Sequence, residues 1–188
     1  MNARVIVGIS GASGACLGLA VLNILKRIGI ESHLVVTAGA ERTISHELKR
    51  EGRAEIDAAA SCIHRADDLA APVASGSFCV DAMIVAPCSM RTLSTIAHGT
   101  GDNLLARAAD VTLKERRRLV LLTREAPLHE GHLEAMLKVT RMGAIVSPPV
   151  PPFYTAMASL DDMVREIAAR AVATAGLDPG DALHRWQG

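Results

Sequence analysis

Three short stretches of this 188-residue chain place small or charged side chains where a strand hands over to a helix. The first is Gly8-Ile9-Ser10-Gly11-Ala12-Ser13-Gly14. Its small residues let the backbone approach an anion, and a helix amino end supplies unpaired N–H groups and positive dipole. It lacks the Gly-Lys-Ser/Thr of a phosphate loop and the G-x-G-x-x-G of a dinucleotide site. On its own it is balanced between a phosphate or flavin site and a tight turn that binds nothing. The second, Ala86-Pro87-Cys88-Ser89-Met90-Arg91-Thr92-Leu93, spaces Ser89 and Thr92 three apart, so both hydroxyls fall at one helix start. Taken alone, plain capping is the favoured reading. No partner base is marked for Cys88, which favours a buried, inert thiol. The third, Arg124-Glu125, follows directly on the apolar run Leu119 to Thr123. Charges there need partners or a ligand. A cation beside a carboxylate suits an anionic substrate that must also exchange a proton.

Other charged and aromatic groups are read more blandly. Arg107 precedes the basic run Lys114-Glu115-Arg116-Arg117-Arg118, of which Arg116 to Arg118 read as a solvated helix end. Tyr154, the single tyrosine, follows Phe153 after a proline-rich turn, with Arg170 on the next helix. Its hydroxyl could donate to a phosphate while its ring lines an apolar pocket. A pair that merely packs a loop is equally consistent. His129 and His132 share a helical spacing, but no third zinc ligand stands at a recognisable distance, so capping and packing are favoured.

The elements that position these groups alternate in type. Val5 to Ile9, His33 to Val36, Ala82 to Ala86, Leu119 to Thr123 and Ala144 to Ser147 read as buried strands, the third broken by Pro87. Helical spacing covers Ala15 to Ile28, Ala40 to Arg50, Met90 to His98, Asn103 to Leu113, His129 to Arg141 and Leu160 to Ala175. Ser159 is the expected cap of the last. Arg53 to Ala74 yields only a helix and a loop. This alternation predicts an α/β fold of three layers, with a doubly wound, mainly parallel sheet of the Rossmann/flavodoxin-like kind. One domain is expected over residues 1–188. Ligands of such folds sit beyond the carboxyl ends of the strands. The expected site therefore gathers Ser10 to Gly14, Thr37, Pro87 to Thr92 and Thr123 to Pro127.

Composition removes several classes of function. Lysine plus arginine and aspartate plus glutamate are equal at 20 each, so no basic footprint marks a nucleic-acid partner. With Phe78, Phe153, Tyr154 and Trp186 as the only aromatics, base-stacking platforms are not expected. Net charge near zero does little to oppose self-association, so a homo-oligomer is expected. Cys16, Cys62, Cys79 and Cys88 are widely spaced, and neither a signal peptide nor a membrane span is visible. The expected setting is cytoplasmic, with no membrane partner.

Taken in order, these segments resemble the UbiX family of flavin prenyltransferases, itself related to flavin-dependent cysteine decarboxylases. The resemblance rests on Gly8 to Gly14, Pro87 to Leu93, Arg107-Ala108-Ala109-Asp110-Val111, Leu113 to Arg117, Arg124-Glu125-Ala126-Pro127-Leu128 and Phe153-Tyr154, running from Val5 to about Ala175. Arg185-Trp186-Gln187-Gly188 also looks like a family C-terminus. The family implies transfer of a dimethylallyl group from dimethylallyl phosphate to flavin N5 of reduced FMN, then ring closure at C6. It implies that Gly11, Ala12, Ser13, Thr37, Ser89, Met90, Arg91, Thr92 and Arg124 hold FMN. Ser75, Arg107, Lys114, Glu125, Tyr154 and Arg170 would surround dimethylallyl phosphate. Lys114, Glu125 and Tyr154 would act in catalysis, with Glu47 as the acid/base near the flavin. No metal is implied, and a dodecamer with sites between subunits is. The product would serve a UbiD-like decarboxylase. The alternatives are a flavin-dependent decarboxylase of cysteinyl substrates and a non-catalytic flavin-binding subunit. Departures are Thr155-Ala156-Met157-Ala158, where relatives often carry histidine or asparagine and a proline, Thr37 for a common serine, and Leu69, near which some relatives place tryptophan.

Overall fold

The computed structural model describes residues 3–49, 51–155 and 157–186. Its strands are β1 (Arg4–Ile9), β2 (Glu31–Val36), β3 (Cys62–His64), β4 (Ala82–Cys88), β5 (Arg118–Thr123) and β6 (Ile145–Val146). Its helices are α1 (Ala15–Arg27), α2 (Ala38–Glu47), α3 (Gly52–Ala59), α4 (Met90–His98), α5 (Leu104–Lys114), α6 (Glu130–Met142) and α7 (Leu160–Thr174). The strands form one sheet in the order β3-β2-β1-β4-β5-β6, and every neighbouring pair is parallel. The chain thus winds outward from β1 to β3, then crosses back to lay β4 on the other side of β1. That reversal opens a crevice at the carboxyl ends of β1 and β4.

Strand alternation builds two cores. Val5, Val7 and Ile9 face one side with Leu34, Ile84 and Val120, under Val21, Leu22 and Leu25 of α1 and Ala168 and Val172 of α7. Ile6 faces the other with Val35, Met83, Val85, Leu119 and Leu121, under α4, α5 and α6. This is the three-layer, doubly wound arrangement that the alternation of elements predicts. The edge strands are short, three residues in β3 and two in β6. Among the described residues no helix is long and apolar enough to cross a membrane.

Three of the differences from expectation have direct physical reasons. β4 does not stop at Pro87: it runs on to Cys88, with a register irregularity between Val85 and Cys88. Proline removes one ladder donor, and a bulge accommodates it without ending the strand. α2 begins at Ala38, not Ala40, because Thr37 caps it, its Oγ1 accepting from Ala40 N at 3.3 Å. Its expected end, Arg50, lies outside the described residues. In the stretch left as a helix and a loop, α3 is followed by β3, which is too short to show alternation.

Helix α1 lies so close to the sheet that Gly18 has no room for a side chain. A Cβ there would sit 2.6 Å from both the Ala86 carbonyl oxygen and Ile9 Cδ1. Gly18→Ala should therefore cost about 1–3 kcal/mol by overpacking, lowering the melting temperature by roughly 3–10 °C for a chain of this size, as read by thermal unfolding.

Candidate functional site

The crevice between β1 and β4 is closed at its base by one hydroxyl. Ser10 is fully buried. Its Oγ donates to the Pro87 carbonyl at 3.0 Å and accepts from Ser89 N at 2.8 Å. The first and second motifs are thus tied directly to each other. Beyond this tie, Gly11 meets Gly39: a Cβ on Gly11 would lie 2.9 Å from the Gly39 carbonyl carbon. Two glycines let the β1–α1 turn touch the start of α2.

A cleft of about 620 Å³ opens here, within the range of small-ligand sites. Gly11, Thr37, Gly39, Ser89, Met90, Arg91, Thr92, Asn103 and Glu125 line it. The amino ends of α2, α4 and α5 all reach it, an arrangement that favours a phosphate. Their caps hold the ends in place. Ser89 Oγ accepts from Thr92 N at 3.3 Å and donates to Thr92 Oγ1 at 3.1 Å. Asn103 Oδ1 accepts from Ala106 N at 3.1 Å. Expected at a helix start, Ser89 caps it, Thr92 accepts from the Ser89 hydroxyl, and both face the cleft.

At α1 the outcome differs from the expectation of free N–H groups. Glu47, reaching back from the end of α2, accepts from Gly14 N and Ala15 N, both at 2.9 Å. An anion does occupy this helix start, and it is the chain's own carboxylate. Burial works to raise the Glu47 carboxyl. Hydrogen bonds from Ser13, Ala15 N and Gly14 N, with the charge of Arg124 nearby, outweigh burial and hold it below the ordinary value. Ser13, Glu47 and Arg124 therefore form one electrostatic unit beside the cleft. Arg124 itself follows β5, its N–H donating to the Cys88 carbonyl at 3.1 Å.

The remaining site residues fall into two other groups. Arg107 Nε donates to the Ala74 carbonyl at 3.3 Å and its Nη1 to Asp110 at 2.7 Å. Lys114 pairs with Glu115 and abuts Gly76, where a Cβ would lie 2.6 Å from its Nζ. Ser75, Arg107 and Lys114 thus gather along α5, Lys114 standing about 16 Å from Asn103 by helical rise. Tyr154 is instead 60% exposed, its ring edge-on to Trp186 at 5.6 Å, and Phe153 is exposed too. Among the described residues of one chain, no apolar pocket closes around Tyr154. Arg170 is an exposed residue of α7. Of the departures, Ala156 lies outside the described residues, as do Gln187 and Gly188, and Leu69 is half exposed.

Other sequence readings are corrected or supported here. Arg117 is not simply solvated: it donates to the Gly76 and Phe78 carbonyls at 2.9 and 3.0 Å, holding the loop that carries Ser75. His129 occupies the N-cap of α6 without a side-chain cap bond and stacks on His132 at 3.6 Å, so packing, not capping, is its role. Cys88 is fully buried and its thiol is pushed up to about 12 by burial, which makes it inert.

The Flavoprotein family pattern matches residues 1–172. The chain is 50% identical over 188 residues to the flavin prenyltransferase UbiX of Neisseria meningitidis, covering 100% of this chain and 98% of that one. The chain belongs to the UbiX-type flavin prenyltransferase family. A crystal structure of AnUbiX (PadA1) in complex with FMN and dimethylallyl pyrophosphate matches this UbiX-type fold with a TM-score of 0.96. It is 47% identical, with 100% of this chain and 99% of that chain covered. The dodecameric FMN-dependent UbiX-like decarboxylase from Escherichia coli O157:H7 gives 0.93 at 46% identity, covering 98% of this chain and 100% of that chain.

Within this UbiX-type chain, Asn103 lines the cleft without having been expected there, and Ser10, expected at the site, carries a tie between the two turns that its sequence reading did not assign. A hydroxyl at the first position after a buried strand, opposite a second strand-to-helix turn, was the available signal for Ser10. The Gly-Asp-Asn run before an apolar helix was the signal for Asn103.

The Glu47 clamp has a signed pH dependence. A carboxyl held low in the folded state contributes stability above its unfolded value and loses it as pH falls through the folded value. The urea midpoint should therefore decline below the ordinary value of 4.5. Glu47→Gln, which cannot titrate, should show a flatter profile between pH 5 and 3, measured by urea unfolding across that window.

Proposed function

We propose that this UbiX-type chain, over residues 1–188, is one flavin-binding domain that transfers a dimethylallyl group from dimethylallyl phosphate to reduced FMN. The observation that carries the reading is the cleft at the β1/β4 reversal, entered by three helix amino ends and flanked by the Ser13–Glu47–Arg124 unit. The cleft fits FMN on its own terms. Gly11 and Gly39 put no side chain into the cleft, leaving room for a ring system, while the starts of α2 and α4 offer N–H groups to a phosphate. Reduced FMN supplies the nucleophilic nitrogen and then the ring carbon that accept the five-carbon unit.

The chain's own residues do the rest. Gly11, Ala12, Ser13, Thr37, Ser89, Met90, Arg91, Thr92 and Arg124 bind the flavin. Ser75, Arg107, Lys114, Tyr154 and Arg170 bind the allylic phosphate. An allyl monophosphate is a poor leaving group, and fixed cations stabilise the departing charge without a metal. Glu125, which lines the cleft, donates a proton to the leaving phosphate. Glu47 moves the proton at the flavin, already oriented by two backbone N–H groups.

In one chain Lys114, Tyr154 and Arg170 stand apart from the cleft, so the proposal requires neighbouring copies to bring them to it. A homododecamer, like that of the dodecameric Escherichia coli relative, would do this. The product would be consumed by a UbiD-like decarboxylase in the same cytoplasm.

The deciding experiment incubates the pure protein anaerobically with reduced FMN and dimethylallyl phosphate, then weighs the extracted flavin. One added C5 unit is expected. Unchanged FMN with turnover of a cysteinyl thiol substrate would instead support a decarboxylase. Glu47→Gln should still bind FMN but turn over about 100-fold or more slowly, the ordinary worth of a proton-transfer group; undiminished turnover would remove Glu47 from its role.

Sharing of residues between copies has its own test. Glu47→Gln and Tyr154→Phe variants, each impaired alone, should regain activity when unfolded together and reassembled. Random mixing of two subunit types would leave about a quarter of shared sites intact, read as recovered flavin mass shift. No recovery would mean that one chain supplies both groups.

A further inference from the structure

A second cluster of chemistry-bearing side chains sits on the β2–β3 edge of the sheet, away from the cleft. The parallel register sets His33 directly beside Cys62. Side chains two apart on a strand share a face, so Glu31 joins His33, and His64 joins Cys62, on one face of the sheet. Donor atoms of Glu31, His33 and Cys62 all lie within 4.8 Å of one another. In a tetrahedral zinc site, bonds of about 2.0–2.3 Å put donors roughly 3.3–3.8 Å apart. Side-chain rotations that move each donor by about 1 Å would close the set.

We propose that Glu31, His33 and Cys62 bind one divalent ion of borderline softness, the Zn²⁺ class. An imidazole, a thiolate and a carboxylate are all ligands that this class accepts. Outer groups already orient two of the three. Arg4 Nε donates to Glu31 Oε2 at 3.2 Å, leaving Oε1, which lies 3.0 Å from His33 Nε2. His33 Nδ1 lies 3.0 Å from His64 Nε2. Metal-bound histidines are held through their second nitrogen in this way. Phe78 closes one side, its ring at 80° to that of His33 and 5.1 Å away.

The protons balance. Without an ion, His33 Nε2–H donates to Glu31 and His33 Nδ1 accepts from His64 Nε2–H. With an ion on His33 Nε2, the proton resides on His33 Nδ1 and is donated to His64 Nε2, whose own proton moves to its other nitrogen. Both rings stay neutral, and the only net loss is the Cys62 thiol proton, released to solvent. A dication with one carboxylate and one thiolate sums to zero, and the remaining charge at the site is that of Arg4, whose side chain is 35% exposed to solvent. His33 stands about 13 Å from Thr37 along β2, so the ion would pin the three-residue β3 to β2 and take no part at the flavin.

The test titrates the full-length protein, stripped of metal, with Co²⁺ and then Zn²⁺. The expected result is one equivalent per chain, a thiolate-to-cobalt absorption band in the near ultraviolet, and its displacement by Zn²⁺. Cys62→Ser should lose the band, and His33→Gln should lose stoichiometric uptake. Cys62 is only partly buried, so that variant folds even if the buried His33 does not tolerate change. His64→Ala should weaken binding about 10- to 100-fold. A wild type without the thiolate band overturns the proposal. So does a band that survives Cys62→Ser, or uptake abolished only by His132→Gln, which would place the ion between α4 and α6.

Discussion

The site hangs on the hydrogen bonds of one buried hydroxyl. Ser10 Oγ donates to a carbonyl of β4 and accepts from the first N–H after it, at the point where the sheet changes direction. A polar group buried there without partners would cost on the order of 1–3 kcal/mol. With both satisfied, it fixes how far the β1 turn stands from the start of α4. The spacing of the cleft walls follows from that distance, and so does the placing of Gly11 against Gly39 and of Ser89 against Thr92.

Electrostatics then divide the helix starts between two uses. α1 is filled from within by Glu47, whose carboxylate takes two backbone N–H groups and stays ionised despite partial burial. The starts of α2 and α4 are left facing the cleft. Four helix dipoles converge on one small region, and Glu47 takes the backbone N–H groups at the start of one of them. The others favour a ligand that brings its own negative charge.

Most of the fold was legible because the central strands are short runs of β-branched and aliphatic residues, and most of the helices carry an apolar stripe. Met90–His98 matches its expected bounds. What escaped was local: β3 spans three residues, too few for a period to show, and Pro87 was read as a strand end when a bulge absorbs it. The cleft-lining part of the site was legible because its residues are consecutive in short motifs. Ser75, Arg107 and Lys114 could be grouped only through the loop that Arg117 holds, a contact across about forty positions that no spacing rule reveals. Tyr154 and Arg170 are a different case. Their meaning depends on what lies against them outside the chain, and neither periodicity nor a lone subunit carries that.

The shortness of β3 and β6 bears on how copies meet. A sheet whose rims offer only two or three residues gives a neighbour too little backbone to extend it by main-chain pairing. In the proposed oligomer, contacts between copies would instead be made by side chains on helices and loops, where Leu133, Leu137, Phe153 and Trp186 stand exposed. Whether such contacts close into a ring or extend into a filament is set by the rotation that relates one copy to the next.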